Sequence, residues 1–199
     1  MAHGQRAGNR AILNTRFPCP ILKKSEAIVK PFPVFELNGH FNPFSDHDFP
    51  WIHHTTKIWQ PHLVNIYGNC IIGERCNIGS FVEIGPGVEI GNDVRIGAFC
   101  FIPSGVKIGD DCFVGPGTIF TNDLYPPSHK EAWLPIVVGN KTSIGAGCVI
   151  LPGVTIGERV MIGAGSVISK NIPDGIRVVG NPARRLILPT INCEKGIIG

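Results

Sequence analysis

Residues 84–97 decide the fold, and they read Ile84-Gly-Pro-Gly-Val-Glu-Ile90-Gly-Asn-Asp-Val-Arg-Ile96-Gly97. An isoleucine returns every six residues, a glycine follows it, and a valine stands two positions before the next isoleucine. The same rhythm runs outward from this stretch, from about Ile66 to Phe120 and again from Val138 to Ile168. Self-similarity at this short, fixed period is the sequence signature of a β-helix built from hexapeptides.

Each hexapeptide is expected to form one short strand and one turn, so that three of them close a triangular coil of about 18 residues. The aliphatic residue points into the prism, the small residue four positions later fills the corner, and the glycine frees the turn. Strands of successive coils then stack about 4.8 Å apart. The pattern predicts an all-β, parallel β-helix of about six coils. It assigns residues 1–50 to an irregular N-terminal arm, 51–186 to the β-helix and 187–199 to a C-terminal tail.

The composition fits a turn-rich solenoid, because the 199 residues include 25 glycines and 17 prolines while 43% are hydrophobic. A formal charge of +3, without a run of lysine and arginine that includes aromatic residues, argues against a nucleic-acid partner. No apolar run approaches the roughly 18 residues of a membrane span. The first residues lack the apolar segment of a secretory signal. A soluble, cytoplasmic protein is therefore expected.

Most of the seven cysteines fall on the small-residue position of the rhythm, where they alternate with valines. These are Cys70, Cys76, Cys100, Cys112 and Cys148. Buried thiols behave as small apolar residues. We therefore expect them to fill the core, and we do not expect disulfides in a reducing compartment.

The rhythm is interrupted once, by the polar segment 121–137, which contains three prolines that cannot sit inside a strand ladder. A loop of this length without structure of its own is usually functional or mobile. Its aromatic residues Tyr125 and Trp133 are expected to pack against other residues, because exposure to water is unfavourable for them.

Three pieces of the chain together resemble one family. They are the hexapeptides, the segment Phe120-Thr-Asn-Asp-Leu-Tyr-Pro126, and the closing Val178-Val-Gly-Asn-Pro-Ala-Arg184. Residues 58–186 resemble the left-handed β-helix acyltransferases of the hexapeptide-repeat superfamily, and most closely those that acetylate the amine of a nucleotide-linked 3-amino sugar. This resemblance implies acetyl-CoA as co-substrate and a homotrimer with each site in a cleft between adjacent prisms. CoA would lie along the C-terminal coils, and the sugar nucleotide toward the N-terminal coils and the loop.

Carried over by position, Asn122 is the residue beside the reacting amine and thioester, and Asp123 faces the sugar or orients the loop. An amide cannot be a general base, so Asn122 would hold the amine or polarise the thioester carbonyl. The alternative is that both are ordinary loop-entry residues. His129 is the single histidine of the loop and a candidate general base, although its polar neighbours are also typical of a solvated tip.

Two further sets of residues are candidates for binding CoA. The pairs Gly145-Ala146 and Gly163-Ala164 leave a strip almost free of side chains, along which pantetheine could bond to the backbone; they are also ordinary turn residues. Four cations near the end of the repeat could meet the CoA phosphates, or be solvated surface charges. They are Lys170, Arg177, Arg184 and Arg185.

A metal site is not expected. Three histidines, His53, His54 and His62, precede the regular coils, but a zinc site in this fold needs ligands from successive coils, and those coils carry no histidine outside the loop.

The sequence thus indicates transfer of an acetyl group from acetyl-CoA to the amine of a nucleotide-linked amino sugar, UDP- or dTDP-linked, as in the biosynthesis of surface polysaccharide. Two alternatives stay open. One is O-acetylation of a sugar or small alcohol with His129 as the base. The other is a non-catalytic β-helix that serves as a trimeric scaffold.

Overall fold

The computed structural model describes residues 50–187, which form a series of very short strands joined by turns. The predicted N-terminal arm and C-terminal tail lie outside these residues, apart from Pro50 and Ile187. Two single 3-10 turns, Pro61–Leu63 and Lys130–Ala132, interrupt the series. The strands are β1 Trp51–Ile52, β2 Lys57–Ile58, β3 Asn65–Ile66, β4 Ile71–Ile72, β5 Asn77–Ile78, β6 Glu83–Ile84, β7 Glu89–Ile90, β8 Arg95–Ile96, β9 Phe101–Ile102, β10 Lys107–Ile108, β11 Phe113–Val114, β12 Ile119–Phe120, β13 Val137–Val138, β14 Ser143–Ile144, β15 Val149–Ile150, β16 Thr155–Ile156, β17 Met161–Ile162, β18 Val167–Ile168, β19 Arg177–Val179 and β20 Arg184–Arg185.

Every third strand belongs to the same sheet, so the chain winds around three parallel sheets. Sheet A contains β1, β4, β7, β10, β13 and β16; sheet B contains β2, β5, β8, β11, β14, β17 and β19; sheet C contains β3, β6, β9, β12, β15 and β18. Among the strands of residues 50–187, only β20 runs antiparallel, against β19. Paired residues such as Ile72 and Ile90 occupy equivalent positions of successive coils. The hexapeptide-repeat β-helix predicted from the sequence is confirmed.

The prism has about seven turns rather than six. The described residues form six complete coils, and Ile172, bridged to Ile156, begins a seventh that β19 continues. The first coil is weak in the sequence because the 3-10 turn Pro61–Leu63 stretches the spacing between Ile58 and Ile66. The last coil is also hard to recognise in the sequence, because Ile172 follows Ile168 by four residues instead of six.

The interior of the prism is a stack of aliphatic side chains. The isoleucine of each hexapeptide is almost completely buried, as at Ile72, Ile84 and Ile102, which are all 0% exposed. Phe120, the last of these positions before the loop, is also fully buried. Residues one position earlier on each strand point outward, so the outer faces are set by residues such as Glu89 and Phe113.

The glycine after the isoleucine is needed for close approach between coils, whereas the sequence analysis expected it to give the turn its freedom. A Cβ atom on Gly97 would lie 2.5 Å from the backbone nitrogen of Pro116 in the next coil, and one on Gly79 would lie 2.6 Å from that of Ala98. The positive φ angle falls two residues later, for example at Phe99 (φ 61°). Glycine is therefore selected at this position by the stacking of coils.

The buried cysteines do more than fill space. Cys70, Cys76, Cys100, Cys112 and Cys148 are all buried free thiols. Each directs its sulfur toward a turn carbonyl of the following coil, as in Cys100 Sγ to Gly115 O at 3.2 Å. Thr118 and Thr142 occupy the same position elsewhere and donate their hydroxyls in the same way, the latter to Gly157 O at 2.8 Å. This position therefore selects small donors as well as small apolar residues.

The three corners of the prism differ in chemistry. At the A–B corner, side chains cap the turns: Asn92 Oδ1 accepts the Glu74 N–H at 2.8 Å and Asp110 Oδ1 accepts the Asn92 N–H at 2.7 Å. The B–C corner carries small or aromatic residues, including Ala146 and Phe99. The C–A corner carries prolines and the loop that begins at Thr121. No helix within residues 50–187 has the length and apolarity needed to cross a bilayer.

Substitution of Gly97 by alanine should destabilise the protein more than substitution of Gly147. The added methyl at Gly97 meets the backbone of Pro116, and overpacking of this kind costs about 1–3 kcal/mol. Gly147 has nothing within 4 Å of its added methyl but has φ +65°, so Gly147→Ala should cost about 1 kcal/mol through backbone strain. Denaturant unfolding measures both; equal losses would contradict the close-approach role.

The five coil cysteines should resist alkylation in the native protein. Burial raises the pKa of each thiol, that of Cys112 from 9.0 to about 11, and only the thiolate is reactive. Because the folded-state pKa is raised, the stability contributed by the neutral Cys112 thiol is complete below pH 9.0 and is lost as the pH rises through about 11. Iodoacetamide labelling read by peptide mass spectrometry, with and without denaturant, checks this; native labelling at Cys112 at neutral pH would contradict it.

Candidate active site

The loop is anchored to the C–A corner by backbone hydrogen bonds on both sides. Thr121 donates its N–H and its hydroxyl to Ile150 O, at 3.0 and 2.9 Å. The N–H of Leu134 then returns to Asn122 O at 2.8 Å, which closes the base of the loop. Leu134 also lies against Gly153, where an added Cβ would be 3.2 Å from its side chain. The loop thus leaves and rejoins the prism at one fixed point.

Asp123 organises the first half of the loop. Its carboxylate accepts the Tyr125 N–H at 3.0 Å, the Ser128 N–H at 2.8 Å and the Ser128 hydroxyl at 2.7 Å. Desolvation alone would raise the pKa of this carboxyl, but the three hydrogen bonds outweigh it and hold the pKa below its ordinary value. Of the two roles considered for Asp123, this geometry favours orienting the loop.

The side chain of Asn122 is available to a ligand. Only its backbone carbonyl is engaged, by Leu134, and its half-buried amide makes no hydrogen bond with any residue between 50 and 187. Closure of the loop base fixes the backbone that carries this amide. An oriented amide at the mouth of a loop can donate to a developing oxyanion or accept from an amine.

His129 is placed less favourably for catalysis. It is exposed and precedes the turn Lys130–Ala132, and its imidazole has no hydrogen bond that would orient the ring within the described chain. A catalytic histidine is normally oriented by a second group.

The two aromatic residues of the loop were expected to pack against other residues, and they differ. Tyr125 is 81% exposed, whereas Trp133 is half-buried and its Nε1 is buried without an acceptor in the described residues.

The glycine–alanine strip lies on the B–C corner, where it exposes unpaired backbone donors. Ala146 and Ala164 are exposed and occupy the positions that, at the A–B corner, have their N–H groups capped by asparagine or aspartate. Alanine offers no such cap, and neither N–H has an acceptor within residues 50–187. Gly145 and Gly163 stay bonded to the next coil, to Ile162 O and Val178 O at 2.8 Å. A ligand with carbonyl groups could pair with the free donors.

Three of the four predicted cations come together at the C-terminal end of the prism. Lys170, Arg184 and Arg185 line a groove of about 370 Å³ whose floor includes Ile168 and Val178. The strand β20 carries the two arginines there by pairing with β19. Arg177 does not line this groove, because it points outward from sheet B. None of the four forms an ion pair within the described residues.

The loop and the strip lie at opposite edges of sheet C and do not meet in one chain. The loop follows β12 at the C–A corner, and the strip precedes β15 and β18 at the B–C corner. The outer face between them is apolar and carries Phe101 and Ile119, which are 38% and 42% exposed, together with Val149 and Val167. The predicted site residues therefore form two half-sites separated by an apolar face.

Comparison with known proteins identifies the repeat. Residues 87–122 and 135–170 match the model of the bacterial transferase hexapeptide (six repeats). These two segments carry the six-residue repeat that this model describes. Residues 70–103 also match the hexapeptide repeat of succinyl-transferase. The resemblance to hexapeptide-repeat acyltransferases is thereby confirmed at the level of the repeat and the fold. No match is found among curated proteins.

Solved structures with this fold include sugar N-acetyltransferases. PerB from Caulobacter crescentus, in complex with CoA and GDP-perosamine, is 24% identical over 70% of this chain, with a TM-score of 0.51. The acetyltransferase domain of PglB from Neisseria gonorrhoeae, with acetyl coenzyme A, is 23% identical over 70%, with a TM-score of 0.52. The present chain spans 58% of the length of each of these two chains.

A third structure matches over more of its own length. It is a mutant of AntD, an N-acyltransferase from Bacillus cereus, in complex with dTDP and coenzyme A. The AntD mutant is 23% identical to the present chain, and the match covers 71% of the present chain and 82% of the AntD chain, with a TM-score of 0.53. At these identities the likeness establishes the fold.

The sequence pattern did not reveal the part of Ser128, which supplies two of the three hydrogen bonds to Asp123. The available signal is an aspartate followed closely by a serine in a turn-rich segment, since both residues favour side-chain bonds to nearby backbone.

No group of three metal-ligating side chains is found in residues 50–187. His53 instead bonds through Nδ1 to Thr55 Oγ1 at 2.8 Å and packs on His54.

Asp123→Ala should loosen the loop and leave the prism intact. The substitution removes the acceptor for the Tyr125 and Ser128 amides, so their hydrogen exchange should speed up while coil amides are unchanged. Glu131→Ala, in the same loop but exposed, is the matched control and should change nothing. Because the Asp123 pKa is lowered on folding, its contribution is present above pH 3.8 and is lost as the pH falls through the folded-state pKa. Unchanged exchange in Asp123→Ala would contradict the organising role.

Proposed function

We propose that this chain transfers an acetyl group from acetyl-CoA to the amine of a nucleotide-linked amino sugar. The proposal is supported by the combination of a free Asn122 amide at the loop base with the uncapped N–H donors of Ala146 and Ala164. It is also supported by solved structures of the same fold whose descriptions name CoA together with a nucleotide or a nucleotide sugar.

The strip suits pantetheine, which carries two amide carbonyls on a narrow chain. The N–H groups of Ala146 and Ala164 would donate to these carbonyls, and the absence of side chains lets the cofactor approach the backbone. The groove lined by Lys170, Arg184 and Arg185 follows at the C-terminal end, where charged donors suit phosphates. Arg177 is a weaker candidate for binding the CoA phosphates, because it does not line this groove.

A complete site requires a second copy of the chain. Loop and strip are separated by the apolar face of sheet C, so a strip can meet a loop only across a junction between two prisms. Burial of the exposed Phe101 and Ile119 at that junction would be favourable. A homotrimer with three such junctions satisfies every loop and every strip at once.

The chemistry needs no metal and little proton transfer by the protein. The neutral amine attacks the thioester carbonyl carbon, the C–N bond forms, and the carbonyl oxygen becomes an oxyanion that Asn122 can stabilise. The intermediate then loses CoA thiolate as the C–S bond breaks, and the ammonium proton passes to the thiolate or to solvent. Asp123 acts by holding the loop that presents Asn122.

O-acetylation of a sugar or small alcohol is the second candidate, because a hydroxyl would need the general base that an amine does not. The exposed His129 is the available residue for that role. A non-catalytic scaffold is the third candidate. It predicts no thermal shift with CoA and no loss of function on changing Asn122.

Release of free thiol from acetyl-CoA, measured over a panel of nucleotide-linked amino sugars and their hydroxyl counterparts, tests the proposal. Turnover with an amine acceptor is expected. Turnover with hydroxyl acceptors alone would establish the second candidate, and no turnover with any acceptor, together with no CoA-induced thermal shift, would establish the third.

Asn122→Ala should lower kcat by about 100-fold, the typical cost of removing one oxyanion donor. His129→Ala should leave kcat within about twofold, because the histidine has no orienting partner within the described chain. Asn77→Ala, an outward asparagine on sheet B, is the matched control for loss of an amide. Steady-state kinetics of the three variants measure these changes in kcat. Loss of activity only in His129→Ala would overturn this mechanism.

A further inference from the structure

Two stacked phenylalanines stand on the B–C corner in an unfavourable backbone conformation. Phe81 and Phe99 have φ angles of 58° and 61°, and their rings stack with centroids 4.8 Å apart and planes 7° apart. The other non-glycine residues with positive φ in residues 50–187 are all polar. A bulky residue in this region is an outlier, and such outliers cluster at ligand sites.

The same two rings are strongly exposed, at 50% for Phe81 and 63% for Phe99. At the next three coils this corner position is glycine, at Gly117, Gly147 and Gly165. The chain therefore places exposed aromatic rings at a position where glycine would avoid both the strain and the exposure. Stacking of the two rings offsets part of this cost, but each ring still leaves half or more of its residue exposed.

An open groove adjoins the pair. It has a volume of about 480 Å³, within the usual range for ligand clefts, and Phe81 forms part of its wall. Its polar lining comes from His62, Asn65 and Glu83. Asn65 and Glu83 are direct neighbours on sheet C, paired across β3 and β6. An aromatic ring, an amide and a carboxylate thus line one open groove.

Glu83 stands apart from the other acidic residues. Every other half-buried aspartate or glutamate in residues 50–187 is engaged through its side chain, as Glu89 is by Lys107 at 2.8 Å. The carboxylate of Glu83 has no partner among the described residues, and neither has the amide of Asn65. A carboxylate in this position can accept hydrogen bonds from a ligand.

We propose that this groove binds the nucleobase of the acceptor through an edge that places an N–H donor beside an acceptor atom. The base stacks on the exposed ring of Phe81, Glu83 accepts the N–H, and Asn65 donates its amide to the adjacent acceptor. The common bases all present such an edge, so the site recognises a nucleobase without selecting among bases. The inference rests on the proposed function, which supplies the nucleotide.

The position along the prism fits an elongated substrate. The pair and the glycine–alanine strip lie on the same corner, and three coil spacings separate Phe81 from Gly147, roughly 14 Å at 4.8 Å per coil. A ribose and diphosphate can extend over such a distance, which brings the sugar toward the coils that carry the strip.

Isothermal titration calorimetry with UDP, dTDP, GDP and inorganic pyrophosphate tests the inference without any turnover. At least one of the three nucleotides should bind, and pyrophosphate, which lacks a base, should bind at least tenfold more weakly. Phe81→Ala and Glu83→Ala should each weaken the preferred nucleotide by about tenfold or more, the usual effect of losing one base stack or one charged hydrogen bond. Their affinity for CoA should not change.

Matched controls are Phe113→Ala, an exposed phenylalanine on sheet B, and Glu89→Ala, a half-buried glutamate on sheet A. Neither should alter nucleotide affinity. Glu83→Ala should also keep the melting temperature of the wild type, because its carboxylate has no partner to lose within residues 50–187.

Binding of pyrophosphate as tight as that of the best nucleotide, no binding of any of the three nucleotides, or unchanged affinity in Phe81→Ala would each overturn the inference. So would a change of oligomeric state in Phe81→Ala on size-exclusion chromatography with nucleotide affinity retained, which would make the pair a subunit contact. If any of these results is found while amino-sugar nucleotides still turn over in the thiol-release assay, only the proposed base site is contradicted. The proposed function then stands.

Discussion

The structure depends on one repeated contact, the close approach of each turn to the turn of the next coil. Backbone hydrogen bonds such as Gly97 N–H to Val114 O, at 2.7 Å, hold successive coils in register along all three sheets. Where glycine follows the buried isoleucine, its lack of a Cβ permits this close approach; at Gly97 that atom would meet Pro116. Since each strand has only two or three residues, stability comes from the stacking of coils.

Because stacking fixes the backbone, the three corners are free to differ in side chains, and each corner has acquired its own chemistry. The A–B corner is closed by its own asparagines and aspartates, as in the Asn92 to Glu74 bond. The B–C corner leaves the donors of Ala146 and Ala164 open and carries the aromatic pair. The C–A corner carries the loop. Within residues 50–187, two of the three corners therefore carry polar groups without a hydrogen-bond partner, and they flank the same apolar sheet.

The sequence was sufficient for the repeat because period and burial are local: the same isoleucines that recur in the pattern, such as Ile72, are those fully buried in the prism. It could not separate the two roles of glycine, since close approach depends on the coil that arrives 18 residues later, as Ile72 pairs with Ile90. The hydrogen bonds from Ser128 to Asp123 were missed for a similar reason, and so was the absence of a partner for the Glu83 carboxylate within residues 50–187. Whether a polar side chain has a partner is a property of three-dimensional neighbours, which the order of residues does not show.

The loop enters the prism without disturbing it. The strand before it, β12, and the strand after it, β13, both pair with their regular neighbours, Ile119 with Val149 and Val137 with Lys107. The closure entropy of a surface loop grows only slowly with its length. Residues between Asn122 and Leu134 can therefore be exchanged, lengthened or shortened by evolution at small thermodynamic cost. The prism acts as a frame on which the loop can change while the coils keep their register.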